Sequence, residues 1–259
     1  MLFRSDRASA QWGRTGVQTS AQIDEGLRAY MLGVYNYMAM GLALTGLAAF
    51  GTYYLSVEEA GATVRAGRIA LTPLGQFLFI SPFKWVLIFA PLGLSMLLNG
   101  MIDRMRASTA QIGFLAFAAA MGVSMAVLLM VYTHTSVARV FFATAAAFAG
   151  LSLVGYTTKR DLSGMGTFLI MAIWGMIIAS LLNVFFGSTG MQWIISLIGV
   201  PVFAGLTVYG TQMVKNMYFH EQSAEEMHKN SIVGALFLYI TFLNLFQTML
   251  SLFGGTSNE

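Results

Sequence analysis

The sequence predicts an all-α membrane protein, built as a bundle of seven transmembrane helices with the last helix at the centre. Of its 259 residues, 57% are hydrophobic and 10% are charged, which is far from the balance of a soluble domain. Long stretches without charge alternate with short charged connections, and these stretches have the lengths that cross a bilayer. In the last stretch the polar residues fall on one side of a helix, as expected for a helix with protein neighbours.

Residues 1–28 are predicted to form a disordered cytoplasmic tail. They are polar and contain arginines without the apolar core of a cleavable signal peptide. The charge-free run that follows predicts a first span at about 30–54 and opens a membrane domain that covers 29–255. After Glu58 and Glu59 the chain mixes charge and proline with the run LTPLGQFLFI, so we expect a segment that lies at the membrane interface without crossing it.

The next three spans are predicted at about 85–101, 109–132 and 137–156. Pro91 lies inside the second span, where it removes a backbone hydrogen bond and is expected to kink the helix. The third and fourth spans are separated by Thr133 to Ser136 alone, which indicates a tight helical hairpin. The fourth span carries small residues at spacings of three and four, so we expect this face to be buried against other helices: Ala143, Ala146, Ala147 and Gly150.

Residues 162–214 form the longest charge-free run, which is enough chain for two crossings. The sequence Gly187-Ser188-Thr189-Gly190 divides it into a fifth span at about 166–186 and a sixth at about 192–214, with a second expected kink at Pro201. The seventh span is predicted at about 231–253, and residues 256–259 form a short tail.

The polar residues of the seventh span fall in one arc at 100° per residue: Gly234, Thr241, Asn244 and Thr248. Tyr239 points the other way. In hydrocarbon the Asn244 amide is expected to hydrogen-bond to another helix, which places this helix inside the bundle.

The basic residues predict the orientation of the chain. With seven spans, the side that holds the N-terminus has ten of them: Arg4, Arg7, Arg14, Arg28, Arg104, Arg106, Lys159, Arg160, Lys215 and Lys229. The other side has four: Arg65, Arg68, Lys84 and Arg139. The positive-inside rule therefore predicts a cytoplasmic N-terminus in a multi-pass protein of the bacterial inner membrane.

The sequence predicts neither an enzyme nor a protein that binds a cofactor. Every acid and every histidine lies in a tail or a connection, so a serine within a span has no base to activate it. No lysine lies inside a span, which argues against bound retinal, and the small net charge of +3 does not indicate nucleic-acid binding. The run HEQSAEEMH, residues 220–228, lacks the second histidine of a zincin motif, which leaves a solvated helix or a weak metal site.

Four stretches read VYTHTSVARVFF from Val131, GYTTKRDLSGMG from Gly155, GLTVYGTQMVKNMY from Gly205 and GALFLYITFLNLF from Gly234. In order and spacing, and together with APLGL in the second span, they resemble the bacterial branch of the Bax inhibitor-1 family, the transmembrane Bax inhibitor motif proteins, over residues 25–255. The resemblance implies a fold in which six helices surround the last one. It also implies a function, since members are described as calcium-leak channels or pH-sensitive ion conductors, and others as regulators of cell death or of membrane-bound proteolysis.

The resemblance further implies where conduction is controlled. The family pattern reads YDTQ in the sixth helix and LYLDFxN in the seventh, and the two aspartates share a proton that opens or closes the pore. Here Gly210 and Thr241 stand at the two aspartate positions, and neither can titrate. We therefore expect little dependence of any ion flux on pH between about 6 and 8. The candidate pore or family-motif residues are Tyr209, Gly210, Thr211, Gln212, Tyr239, Thr241 and Asn244.

Two functions stay open. The first is a weak or constitutive leak of Ca²⁺ or other cations along these neutral residues, although the same side chains would also serve as hydrogen bonds between helices. The second is a non-conducting protein that binds a membrane partner, such as a membrane protease, through its tail or its lipid-facing helices. In both cases the lipid bilayer is the surrounding medium.

Overall fold

The structure is a computed structural model that describes residues 20–57, 64–66, 69–219 and 222–256, with the side chains of 20–24, 64–66, 69 and 103 left undescribed. The helices in chain order are α1 (Ser20–Ser56), α2 (Pro73–Phe79), α3 (Lys84–Met101), α4 (Ala107–Val131), α5 (His134–Thr157), α6 (Ser163–Phe186), α7 (Thr189–Asn216) and α8 (Ala224–Phe253). The strands β1 (Val64–Ala66) and β2 (Ile69–Leu71) form an antiparallel hairpin before α2, and a short 3₁₀ turn, Ile102–Arg104, follows α3.

Seven helices within the described ranges are long and apolar enough to cross a membrane, namely all of these except the two-turn α2. This confirms the predicted all-α, seven-helix fold. The interfacial segment predicted between the first two spans contains the hairpin and α2, and Thr72 caps α2 by accepting a hydrogen bond from the Gly75 amide. Pro91 and Pro201 lie inside helices that continue through them.

The connections between helices contain the residues that end and begin helices. Gly187 ends α6 with a left-handed φ of 60°, a conformation that glycine adopts without steric cost. Ser188 then caps α7 by accepting a hydrogen bond from the Met191 amide. Ser223 and Glu226 form a capping box at the start of α8, so this helix begins seven residues before the predicted position of Ser231.

The last helix is the most buried of the seven. In its most apolar 18-residue window 61% of the residues are buried, against 6% to 44% in the other six helices. α8 packs against α1, α4, α5 and α7, whereas α3 packs mainly on α4 and α6 mainly on α7. The predicted central position of the last helix is therefore confirmed, with α3 and α6 as outer helices.

Two sequence-based expectations need correction. α1 begins at Ser20, so residues 20–28 of the predicted disordered tail are helical, while residues 1–19 lie outside the described ranges. The small residues of α5 are exposed rather than buried, and a Cβ placed on Gly150 would meet no atom within 4 Å. α5 instead buries its other face: Val140, Thr144, Phe148, Ser152 and Gly155. Small residues permit close helix packing but do not require it, so spacing alone selected the wrong face.

Candidate functional site

α8 presents a row of polar side chains to a cavity of about 970 Å³. α3 and α6 bound this cavity on either side, and α4, α7 and α8 form the rest of its wall. The polar residues that α8 contributes lie on consecutive turns of one face: Thr241, Asn244, Gln247, Thr248 and Ser251. A helix that is buried on its other sides thus lines an open space with neutral oxygen and nitrogen atoms.

Three side chains of this row, Thr241, Asn244 and Thr248, donate hydrogen bonds back along α8. The Thr241 hydroxyl donates to the Phe237 carbonyl at 2.9 Å, and the Asn244 amide nitrogen donates to the Ile240 carbonyl at 2.8 Å. The expectation that Asn244 bonds to another helix is therefore wrong, because the hydrogen bond that its amide makes lies within its own helix. The side-chain oxygens of Thr241 and Asn244 remain neutral acceptors along the cavity.

A second cavity, of about 730 Å³, lies at the end of the bundle where α8 begins. Glu226, Lys229 and Asn230 line it together with apolar side chains, and Lys229 lies 3.8 Å from Glu225 in an ion pair one turn apart. Val233 lines both cavities, so they are neighbours along α8. Their lining residues on α8 extend from Glu226 to Ser251.

The part of α8 where the two cavities adjoin is apolar, and the name apolar junction is used for Val233 and Phe237. They lie one turn apart on α8, and Phe237 lines the larger cavity together with Met213 of α7. A Cβ added at Gly210 would overlap the ring of Phe237. The position at which the family pattern carries its first aspartate is therefore a glycine whose side-chain space is filled by a phenyl ring.

The described residues that line the larger cavity include no Asp, Glu, His, Lys or Arg. Nor do the described residues contain a cluster of three or more His, Cys, Asp or Glu side chains that would hold a metal ion. Within the HEQSAEEMH run, Glu225 and His228 are exposed on the first turns of α8, and His220 and Glu221 lie outside the described residues.

The other candidate residues lie away from the cavity and hold helices together. Thr211 shares a hydrogen bond of 3.1 Å with Ser152 of α5, and Tyr209 packs against Gly166 of α6. Gln212 donates to the Arg160 carbonyl at 2.7 Å and accepts from the Leu162 amide at 3.0 Å, so it fastens the α5–α6 connection. Of the five residues expected to line a path, Thr241 and Asn244 do so, whereas Tyr209, Thr211 and Gln212 do not.

Tyr239 lies on the opposite side of α8 from the polar row, as its position in the sequence predicted. It is fully buried against the rings of Phe114 and Phe117, and its hydroxyl lies 2.6 Å from Oγ1 of Thr45. This contact ties α8 to α1 and α4 in the core, away from the cavity.

The structure adds residues that the sequence arc did not include. Ser251 continues the row by one turn beyond Thr248, and its hydroxyl accepts a hydrogen bond of 2.9 Å from Ser196 of α7. The same helical spacing that selected Thr248 would have found it. Phe237 carried no such signal, because an aromatic residue in an apolar span is unremarkable until its neighbours are known.

The sequence matches the family model described as "Inhibitor of apoptosis-promoting Bax1" over residues 27–258. A Rickettsia prowazekii protein is 41% identical over 241 residues, which cover 93% of this chain and 95% of the relative. The Escherichia coli K12 protein named inner membrane protein YbhL is 39% identical over 233 residues, which cover 89% of this chain and 93% of the relative. A Caulobacter vibrioides protein is 40% identical over 236 residues, covering 90% and 91%. The chain is thus a membrane protein that belongs to the Bax inhibitor-1 family.

Proposed function

We propose that this protein is a weak ion-leak protein of the bacterial inner membrane whose flux depends little on pH. The observation that supports this function is the pair of cavities that share Val233 in their walls and lie along the central helix. An open space beside the polar face of a buried helix offers water and ions a route with hydrogen-bonding partners. A bundle held together only by helix–helix hydrogen bonds would not need such a space.

The lining explains why the leak is weak. Calcium and other hard cations are held by several oxygen ligands that normally include carboxylates, and here the oxygens come from neutral residues such as Thr241, Asn244 and Ser251. The apolar junction at Val233 and Phe237 adds a second barrier, since a hydrophobic constriction excludes water and therefore ions. Cations are neither concentrated nor firmly bound along this path.

The absence of charge also accounts for the expected pH behaviour. Among the described residues that line the larger cavity, none has an ordinary pKa between 6 and 8. Protonation between these values therefore leaves the charge of this part of the path unchanged. A paired carboxylate would respond to pH, and Gly210 and Thr241 remove that possibility.

The test is calcium flux into dye-loaded proteoliposomes at pH 6, 7 and 8, with protein-free liposomes as the baseline. We expect a small flux from the unchanged protein that is equal at the three pH values, and a several-fold larger flux from Phe237→Ala, which widens the apolar junction. Thr241→Val should lower the flux, because it removes a polar group from the cavity wall. Thr207→Val is its matched control, because both hydroxyls donate to the carbonyl four residues earlier but only Thr241 lines the cavity. A flux from the unchanged protein that changes steeply with pH, or no flux from it above the protein-free baseline, would overturn the proposal.

Restoring the two acids requires a change at Phe237 as well. An aspartate at position 210 would overlap the Phe237 ring, so Gly210→Asp/Thr241→Asp is compared with the triple variant that also carries Phe237→Ala. We expect the triple variant to conduct calcium with a pH response, since two neighbouring carboxylates share a proton. If the triple variant conducts and the unchanged protein does not, the fold keeps a pathway that the natural chain does not use.

The proposed location and orientation rest on the distribution of basic residues and on the name of the E. coli relative. We propose a cytoplasmic N-terminus. Since the chain has no cysteine, Lys159→Cys and Thr135→Cys each introduce a single thiol, in exposed positions at opposite ends of α5. In intact spheroplasts a membrane-impermeant thiol reagent should label Cys at position 135 and leave position 159 unlabelled, and the reverse pattern would invert the topology.

A non-conducting interaction protein is the second candidate. The observation that favours it is α6, which packs mainly on α7 and has only 6% of its most apolar window buried. Such a helix offers a long apolar surface, including Phe168 and Trp174, to a partner helix such as one of a membrane protease. Absence of flux from both the unchanged protein and Phe237→Ala would favour this function.

A further inference from the structure

A groove runs along the outside of the bundle between α1 and α5. It consists of two neighbouring cavities of about 550 and 560 Å³, and both Ala39 and Leu42 line the two cavities, so the groove is continuous. α1 packs mainly against α4 and α8, whereas α5 packs mainly against α7 and α8. The two helices therefore border a gap that neither of them fills.

The walls of the groove are apolar and include many small side chains. On α1 a line of small residues faces it at spacings of three and four: Ala39, Ala43, Gly46 and Ala49. Ala138 and Ala149 contribute from α5, and phenylalanines and leucines complete the lining. A Cβ placed on Gly46 would meet no atom within 4 Å, so the space beside this residue is open.

One end of the groove is cationic. Arg28 lines it near the start of α1, and Tyr35 and Tyr156 line the same cavity. Lys215 of α7 lies at the same end, with Nζ donating to the Tyr156 carbonyl at 2.8 Å and lying 5.1 Å from the centre of the tyrosine ring. Tyrosine beside arginine and lysine is the usual composition of a membrane interface, where lipid headgroups lie.

The first cavity, from Arg28 to Leu42 on α1, is long enough for a lipid chain that extends from the cationic end. Arg28 and Leu42 are separated along α1 by about 21 Å at a rise of 1.5 Å per residue. Half of a hydrocarbon core of about 30 Å is about 15 Å. An acyl chain can therefore lie in the first cavity with its end near Ala39 while its phosphate stays at the interface beside Arg28.

We infer that the groove between α1 and α5 is a binding site for an anionic phospholipid of the leaflet in which α1 begins. One acyl chain lies along the apolar wall, and the negative headgroup pairs with Arg28, close to Lys215. A zwitterionic lipid fits the same wall, but its own ammonium group offsets the charge of its phosphate. Headgroup charge therefore selects the occupant, and this inference does not depend on whether the protein conducts ions.

The test is native mass spectrometry of the delipidated full chain in detergent, with phosphatidylglycerol and phosphatidylcholine that have the same acyl chains. We expect phosphatidylglycerol to bind about five-fold more tightly, as one interfacial basic residue contributes. Arg28→Gln should remove this preference and Arg28→Lys should keep most of it. Arg160→Gln is the control, because Arg160 is an exposed base that does not line the groove.

A second set of variants tests the wall. Ala39→Trp and Ala149→Phe fill the groove from its two sides and should weaken binding of both lipids, whereas Ala147→Trp on the exposed face of α5 should not. Circular dichroism and gel filtration of each variant show that it has folded, and the two filling variants are independent of one another. The inference is overturned if Arg28→Gln keeps the preference for phosphatidylglycerol, or if both filling variants bind this lipid normally. It is also overturned if gel filtration shows that the unchanged protein is a dimer and that both filling variants are monomers, since the groove would then be an interface between two copies.

Discussion

The phenyl ring of Phe237 occupies the space beside Gly210 that a side chain at position 210 would need. This relationship joins α7 to α8 at the apolar junction between the two cavities. It also means that the glycine and the phenylalanine form one packing unit, so the effect of a change at either residue depends on the other.

A first prediction follows for the stability of this unit. Gly210→Ala should destabilise the protein by about 1–3 kcal/mol, because the added methyl group overpacks against Phe237. The same change at Gly150, where a Cβ meets no atom within 4 Å, should be neutral or stabilising by up to about 1 kcal/mol, since alanine favours a helix over glycine. Thermal unfolding in detergent measures both, and in a protein that already carries Phe237→Ala the change at position 210 should cost little. Equal stability of the two alanine variants would contradict the packing.

The buried pair of Tyr239 and Thr45 gives a second prediction. Tyr239→Phe removes the hydroxyl that lies 2.6 Å from Thr45 Oγ1 and should cost about 1 kcal/mol. Tyr54→Phe, at a tyrosine that is 72% exposed on the same helix as Thr45, should cost nothing measurable. Chemical unfolding of these variants, and of a Tyr239→Phe/Thr45→Val double variant, yields the coupling between the two hydroxyls. Additive losses would show that the hydrogen bond contributes little.

A third prediction separates two glutamines. Gln212→Ala should loosen the α5–α6 connection, with a loss of about 1 kcal/mol, because both of its hydrogen bonds to that connection disappear. Hydrogen exchange at residues 160–162 should become faster while ion flux stays the same. Gln247→Ala should change the ion flux and leave hydrogen exchange at residues 160–162 the same, since Gln247 lines the cavity. If Gln212→Ala changed flux without changing exchange, Gln212 would belong to the conduction path.

The fourth prediction concerns Asp161, which lies between α5 and α6. Hydrogen bonds from the hydroxyl and the backbone amide of Ser163 lower the pKa of this carboxyl group below its usual range. A lowered pKa in the folded state gives stability that is present above the unfolded-state pKa of about 3.9 and is lost as pH falls through the folded-state pKa. Asp161→Asn should therefore melt slightly below the unchanged protein at pH 7, and the two melting temperatures should converge as the pH falls below about 3.9. A difference that persists in acid would exclude the carboxylate as its cause.

The positions of the membrane helices could be predicted from the sequence with little error. Charge is costly in hydrocarbon, so apolar runs of sufficient length had to be spans, and the spans predicted between Trp85 and Phe186 agree with α3, α4, α5 and α6 to within three residues. The greater lengths of α1 and α8 were missed because a helix can continue past the bilayer into water. Hydropathy indicates which part of a helix lies in lipid, whereas the capping residue Ser223 indicates where α8 begins.

The candidate site could likewise be predicted only in part. The sequence by itself determined that α8 has a polar face with Thr241 and Asn244, that Tyr239 lies opposite, and that no acid stands at positions 210 and 241, because these facts follow from helical periodicity and residue identity. Only the tertiary structure decided that this face lines a cavity, that Gln212 fastens a connection, that the small-residue face of α5 is exposed, and that Phe237 fills the space beside Gly210. The physical reason is that helical periodicity determines which residues share a face, whereas the neighbour of that face depends on how separate helices pack. In lipid, small and neutral polar side chains can face a partner helix, a cavity or the bilayer, so residue type does not identify the neighbour.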